Sequence, residues 1–338
     1  MTDRILLAHG SGGELTHRLI EELFLQYFGN PTLNELYDSA LLKINGQRLA
    51  FTTDSYVVRP LFFPGGDIGR LAVCGTVNDL AVSGATPLFV SAGFIIEEGL
   101  EYETLKKVVA SMSEAAKEAG VLVVTGDTKV VEKGSADKLF INTSGIGVAD
   151  ERFHLGYKKI SPGDKVIING TIGDHGIAVM TARGDFGITL EVKSDSAPLN
   201  QLISLIADDP NVASGVRFMR DPTRGGVATT LVEVAEKGLL DIVIHESSLP
   251  ILEEVKSASE MLGIDPLYSA NEGKVLIIAS KDAAENIVSL LRTHPLGREA
   301  MVIGEVKEGR GGGVFLNTTF GTRRRISMLT GNMLPRIC

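Results

Sequence analysis

The sequence predicts a two-domain α/β protein, and three observations carry that expectation. At 338 residues the chain exceeds the roughly 100–200 residues of one ordinary domain. Strand-like and helix-like apolar periodicities alternate through both halves, the pattern of sheets covered by helices. Between the halves lies a polar, turn-rich stretch, ERFHLGYKKISPGDK, after which a fresh strand, KVIING, begins. These place an N-terminal domain at 1–151 and a second α/β domain at 152–330. The last segment, 331–338, is too short and too rich in Gly, Asn and Pro for an element of its own, and is expected to be a mobile tail.

In chain order, LYDSALLKINGQRLAFTTDSYVV reads as two strands joined at Asn45-Gly46, the signal of a type I′ hairpin. GGDIGRLAVCGTVNDLAVSGATP reads as a helix capped by Asp67 and stopped at Gly84, apolar enough to be buried. LFVSAGFII is a strand, YETLKKVVASMSEAAKEAG an amphipathic helix ended by Gly120, and VLVVTGD and LFINTSGIGVA are strands. The second half offers helices HGIAVMTAR, NQLISLIAD, GGVATTLVEVAEKG and AAENIVSLLRT, interleaved with strands DIVIHE, KVLIIAS, AMVIGEV and GVFLN. GRGGG at 309–313 is expected to be a hairpin loop between the last two strands.

Composition narrows the function. An apolar content of 44% with 22% charged residues is that of a soluble globular chain. A net charge of −9 argues against nucleic acid, whose phosphates need clustered Lys and Arg. No apolar run approaches the roughly 20 residues of a membrane span, and MTDRILLAHGSGG has too short an apolar stretch for a signal peptide. The expected location is the cytoplasm. With only Cys74 and Cys338 there is no disulfide framework and no Cys-rich zinc site, and the six histidines are scattered. Any metal is expected to be held by oxygen.

Four aspartates stand at strand ends or where an apolar helix should carry no charge: Asp38, Asp54, Asp79 and Asp127. Singly, each has a turn or capping explanation. Asp79 resists it, because it lies beside Asn78 in an otherwise apolar helix and a buried carboxylate needs a partner. Two carboxylates about 4 Å apart repel by about 1 kcal/mol in water and about 4 kcal/mol at a surface-like dielectric. If the four converge, a hard divalent cation such as Mg²⁺, bridging nucleotide phosphates, would stabilise them.

Two glycine-rich segments offer bare backbone amides to an anion. HGSGGE at 9–14 is not a Walker A loop, having no Gly-Lys-Ser/Thr, and a flexible loop explains it equally. In DPTRGGV at 221–227, Asp221 can cap a helix, Pro222 fits its first turn and Gly225-Gly226 leave its N-terminus open. A well-capped helix is the alternative.

Cys338 is the last residue, and its position is wrong for prenylation, which takes a Cys four residues from the end. The eight residues from Gly331 can extend about 26 Å at roughly 3.3 Å each, enough to carry a thiol into a cleft. The adjacent α-carboxylate would tend to raise the thiol pKa and Arg336 to lower it. Such a thiol reads as a swinging carrier.

Taken together, the segments YDSALL, TTDSYVV, VNDLAVSGATP, GDTK and DPTRGG resemble the superfamily of aminoimidazole ribonucleotide synthetase, selenophosphate synthetase and thiamine-monophosphate kinase. HGSGG, SANEGK at 269–274 and the terminal PRIC resemble, more narrowly, the HypE hydrogenase-maturation family. The resemblance covers essentially the whole chain. It implies an aminoimidazole ribonucleotide synthetase-like fold, a homodimer formed through the N-terminal sheet, and a nucleotide in the cleft. It implies ATP held by Asp38, Asp54, Asn78, Asp79, Asp127 and Thr128, with Mg²⁺ on the four aspartates. It further implies that a carbamoyltransferase, HypF, loads a carbamoyl group on Cys338, that ATP drives its dehydration to a thiocyanate, and that the cyano group passes to iron on a HypC–HypD scaffold. Within that chemistry Glu272 is the candidate base for the nitrogen protons, and Lys129 a candidate for holding the phosphates or orienting the reacting group. From its residues alone, Glu272 would be a surface turn carboxylate.

Two rivals remain at this stage. A small-molecule kinase or synthetase of the same superfamily needs the aspartates but no terminal thiol, and a nucleotide-binding scaffold would use the tail only to dock a partner. Selenophosphate synthetase itself is disfavoured, since its reactive Cys is expected near the N-terminus and none precedes Cys74.

Overall fold

A computed structural model describes residues 4–184, 191–309 and 311–330. The tail expected at 331–338, with Cys338, lies outside the described residues. The chain opens with helix α1 (Glu14–Leu19), a π-helical turn and α2 (Leu25–Phe28), none of which buries a residue fully. Strands β1 (Ala40–Ile44) and β2 (Gln47–Tyr56) follow, joined as expected through Asn45 and Gly46. Both turn residues have positive φ, 51° and 87°, which the type I′ geometry requires. After the short strands β3 (Phe62–Phe63) and β4 (Gly66–Asp67), the Asp67 carboxylate accepts from the Gly69 and Arg70 amides and starts α3 (Ile68–Val82). Then come β5 (Ala85–Glu97), α4 (Tyr102–Ala119), β6 (Leu122–Val131) and β7 (Leu139–Ala149).

These strands form one sheet in the order β1-β2-β7-β5-β6. Its two faces differ. Ala50, Thr52 and Tyr56 of β2 and Ile141 and Thr143 of β7 point inward under α3 and α4. Phe51, Phe89, Ile95, Ile146 and Val148 line the opposite face, each about 40% exposed. Strand β6 closes one edge and is exposed along nearly its whole length.

The second sheet has seven strands in the order β14-β13-β10-β12-β8-β11-β9. In chain order its parts are β8 (Lys165–Ile168), α5 (Asp174–Ala182), α6 (Asn200–Ala207), α7 (Pro210–Ala213), β9 (Val216–Arg220) and α8 (Gly226–Gly238). After these come β10 (Asp241–His245), α9 (Glu253–Leu262), β11 (Leu276–Ala279), α10 (Lys281–Leu291), β12 (Met301–Lys307), β13 (Val314–Asn317) and β14 (Arg323–Ile326). Successive side chains serve opposite cores, as the strand period of two demands. Ile167, Met219 and Ile277 pack under α6, α7 and α10, whereas Val166, Ile168, Phe218 and Ile278 pack under α8.

One expectation fails here. GRGGG does not turn a hairpin, because β10 lies between β12 and β13, pairing antiparallel with the first and parallel with the second. The run instead carries the chain across that intervening strand, with Gly312 at φ +69° and no room for a Cβ beside the Ala235 carbonyl, 2.7 Å away.

Helix α3 joins the two halves. Its inner side meets the five-stranded sheet, and Ala81 and Val82 at its end belong to the same apolar core as Leu202, Ile206 and Leu291 of the second sheet.

Candidate functional site

Each acidic residue is set by a different element, and the elements meet at the junction of the two halves. Asp38 precedes β1, Asp54 lies on the inward face of β2, and Asp79 projects from α3. Asp221 immediately follows β9. Ligand oxygens of Asp38, Asp79 and Asp221 lie within 4.8 Å of one another. Asp79 Oδ2 accepts from Thr52 Oγ1 at 2.6 Å, and the same hydroxyl serves the Asp38 carbonyl. Tyr56 OH donates to Asp54 Oδ2 at 3.0 Å.

The electrostatics is that of a cluster short of positive charge. Burial, then the Asp54, Asp221 and Asp38 carboxylates, hold the Asp79 carboxyl well above its ordinary range. Asp221, only 6% exposed, is pushed up to about 8 by burial and by Asp38 and Asp54. Asp38 and Asp54 are raised mainly by burial. Arg220 offsets part of this: its Nε lies 3.1 Å from Asp38 Oδ1, and its Nη1 is bonded to Glu233, which is paired at 2.9 Å with His17 of α1. Several acids facing one guanidinium leave room for a cation, and an all-oxygen donor set suits a hard one.

The two glycine-rich segments come together over this cluster. Arg224 donates through Nη1 to the Gly10 carbonyl at 3.0 Å, and a Cβ on Gly12 would sit 2.9 Å from the Arg224 Cβ. Helix α8 begins at Gly226, with Gly225 as its N-cap residue; the Gly226 amide donates to the Thr223 carbonyl at 3.0 Å, and no side chain caps the amides that follow. Asp221 is therefore not the cap that its sequence suggested, and Pro222 lies ahead of the helix. Gly226 itself has φ +60°, and a Cβ there would lie 2.5 Å from the Leu267 and Ser269 carbonyl oxygens, so none fits.

Glu272 faces the same junction. It is 3% exposed, not a surface turn residue, and burial followed by Asp221, Asp195 and Asp54 holds its carboxyl well above the ordinary range. Its loop is tied to the DPTRGG loop, because Asn271 donates to the Pro222 carbonyl through both its backbone N, at 3.2 Å, and Nδ2, at 3.1 Å.

Four expected residues are not part of this cluster. Asn78 is 1% exposed, and its amide is fully engaged with main chain of the second half: Nδ2 donates to the Ala197 and Glu272 carbonyls, each at 3.1 Å, and Oδ1 accepts from the Leu199 amide at 2.8 Å. It is a strut between the halves rather than a group offered to a ligand. Asp127 pairs in register with Gly93, Asn142 and Ser55, a row on the open face of the first sheet, whereas Asp54 is on the covered face. Three strand spacings, about 14 Å, separate β6 from β2. Lys129, two residues on, shares that open face and lies 3.5 Å from Asp127. Thr128 points to the other side of the same exposed strand.

Asp221 and Arg220 were missed in the sequence as functional groups. The rule that flagged aspartates at strand ends would have found Asp221 had VRFMR been read as a strand; its two arginines, at positions 217 and 220, hid the alternation.

The family model for AIR synthase related protein, N-terminal domain, matches residues 37–149, and that for the C-terminal domain matches 161–317. Carbamoyl dehydratase HypE of Escherichia coli (strain K12) is 48% identical over 341 residues, covering 99% of this chain and 100% of the relative. A crystal structure of a HypE–HypF complex superposes with a TM-score of 0.87 at 51% identity, covering 92% of this chain and 99% of the other. The hydrogenase maturation protein HypE in complex with ATP superposes with a TM-score of 0.82 at 47% identity, over 99% and 100% of the two chains.

Proposed function

We propose that this chain, which belongs to the HypE carbamoyl dehydratases of the AIR synthase-related family, dehydrates a carbamoyl group carried on the thiol of its own Cys338 to a thiocyanate at the expense of ATP. The observation that carries the reading is the convergence of Asp38, Asp79 and Asp221 within 4.8 Å, beside a buried Glu272. An ATP complex of a relative at 47% identity supports the nucleotide.

The carbamoyl oxygen is a poor leaving group, and phosphorylation makes it a good one. The oxygen attacks the γ-phosphorus, the bridging P–O bond breaks, ADP departs, and one N–H proton is lost. The second N–H proton then leaves as the C–O bond breaks, giving S–C≡N and inorganic phosphate. Glu272, whose burial makes its carboxylate a stronger base once ionised, would take a nitrogen proton. Asp38, Asp79 and Asp221, with Asp54 beside them, would hold Mg²⁺, which would supply charge neutralisation for the phosphates. Arg224, close enough to Asp54 and Glu272 to act on both carboxyls, and the uncapped N-terminal turn of α8 would favour an anion.

Asp127, Thr128 and Lys129 enter only through assembly. The open sheet face carries five large apolar side chains and an unpaired edge strand, a surface that a second copy would cover. Any part these three residues take in holding ATP or its cation therefore runs through the homodimer. The HypE–HypF complex supports HypF as the partner that would donate the carbamoyl group. A HypC–HypD scaffold would receive the cyano group, in the cytoplasm. No helix among the described residues is long and apolar enough to cross a membrane.

The test is the intact mass of the C-terminal peptide after incubation with a carbamoylating partner and then ATP. A carbamoyl adduct on Cys338 that loses one water only with ATP is expected. An adduct on another residue, or phosphate release unchanged in Cys338→Ala under the same loading conditions, would refute the reading.

A further inference from the structure

Behind the Glu272 loop lies a buried ion pair that the chemistry above does not use. Lys274 Nζ is 2.8 Å from Asp195 Oδ2, and the two side chains are only 9% and 4% exposed. Burial works to raise the Asp195 carboxyl, but Lys274, His175 and the hydrogen bonds it accepts together outweigh it and hold the group below its ordinary value. Asp174 at the start of α5 stands 4.0 Å from the same ammonium as a second, weaker partner.

What distinguishes the pair is where its other bonds go. Asp195 Oδ1 accepts the backbone N–H of Glu272 at 3.0 Å, so one carboxylate grips both the residue before Gly273 and the residue after it. Gly273 is pressed against the same turn, since a Cβ there would lie 1.9 Å from the Asp195 carbonyl oxygen. On the opposite side the Glu272 carbonyl accepts from Asn78 Nδ2, one residue from Asp79. The Gly273 carbonyl accepts from Asn169 Nδ2 at 3.3 Å. The backbone of residue 272 is thus held at both its N–H and its C=O, by groups from separate parts of the chain. A carboxylate that must meet a nitrogen proton needs such restraint, because a displacement of about 1 Å costs about 100-fold in rate.

We propose that Asp195 and Lys274 are positioning residues for Glu272, acting through the loop backbone rather than on ATP or the carbamoyl group. The inference rests on Glu272 being the base. Single-turnover dehydration of the carbamoylated full-length dimer separates the two ideas, read as loss of water from the C-terminal peptide at saturating ATP, with ATP affinity measured alongside. Lys274→Met is expected to lower the dehydration rate about 10- to 100-fold while ATP affinity stays within about threefold. The doubly neutral Asp195→Asn/Lys274→Gln variant, which strands neither charge of the pair and leaves only the weaker partner Asp174 without its cation, guards against misfolding and is expected to show the same split. In a Glu272→Gln background the Lys274 change is expected to cost nothing further, because both act through one group.

If Glu272→Gln is slow but both pair variants retain the full rate, positioning is refuted and the base stands. A full extra loss on top of Glu272→Gln, or ATP affinity falling in step with the rate, also overturns positioning. A Glu272→Gln variant with the wild-type rate refutes the base, and the positioning role falls with it.

Discussion

Replacing Asp221 by Asn should stabilise the cation-free protein and at the same time remove much of its response to Mg²⁺. With a native pKa near 8 and an unfolded value near 3.8, this carboxyl binds a proton in the folded state at pH 7 that the unfolded chain does not. The sign follows: its contribution is most favourable below pH 3.8 and is lost as pH rises towards 8. Integrated to pH 7, about three units above the unfolded value, the loss is about 4 kcal/mol. Coupling to Asp38 and Asp54 spreads that figure over the cluster, so Asn should recover about 1–3 kcal/mol, or several degrees in Tm for a chain of this size. The assay is thermal unfolding in chelator at pH 5 and pH 7, each repeated with Mg²⁺. The gain should be larger at pH 7 than at pH 5, and the Mg²⁺-induced rise of the wild type should shrink in the variant. A variant less stable than wild type in chelator at pH 7, or one with an undiminished Mg²⁺ response, would refute the reasoning.

Arg220→Met leaves Asp38 and Glu233 without their shared guanidinium, and a loss of about 3–5 kcal/mol is expected in denaturant unfolding. His17 is raised above 6.5 chiefly by its bond to Glu233, so its contribution is present below pH 6.5 and lost as pH climbs through its folded value. His17→Gln should therefore cost about 1 kcal/mol at pH 6 and little at pH 9, measured as Tm across that range. Gly75→Ala puts a Cβ 2.1 Å from Tyr56 OH and should push that hydroxyl off Asp54, costing about 1–3 kcal/mol with a weaker Mg²⁺ response. Ile146→Glu, on the open sheet face, should yield monomers in sedimentation with unchanged circular dichroism; a persistent dimer would move the interface elsewhere.

Much of the fold was legible because its elements carry local marks. Asn45-Gly46, the Asp67 cap and the glycines at 84 and 120 stand where the expected turn, start and stops occur, and each has a one-residue physical cause. The path of the chain between strands was not, because GRGGG has the composition of a hairpin loop whether or not another strand intervenes. The site divides the same way. Asp38, Asp54 and Asp79 could be picked out by misplaced charge, but Asp127 carries the same local signal and lies on the opposite face of the sheet. Position at a strand end says nothing of which face a side chain takes; only the register with Gly93 and Asn142 does. Glu272 was concealed for a related reason, since a polar turn looks exposed until the loops that bury it are in place.

The acids come from both halves of the chain, and this has a mechanical consequence. Asp38, Asp54 and Asp79 belong to the first half, Asp221 and Glu272 to the second, so neither half alone carries the site. Repulsion among them would part the halves, and two devices oppose it. Arg220, from the second half, reaches across to Asp38 and supplies charge. Asn78, from the first, hydrogen-bonds three backbone groups of the second and supplies alignment without charge. Because Asn78 adjoins Asp79 and holds the Glu272 carbonyl, the same strut that docks the halves also sets the spacing between the aspartate cluster and Glu272. A cation bound among Asp38, Asp79 and Asp221 would tighten that docking, so nucleotide loading and closure of the junction should be one event rather than two.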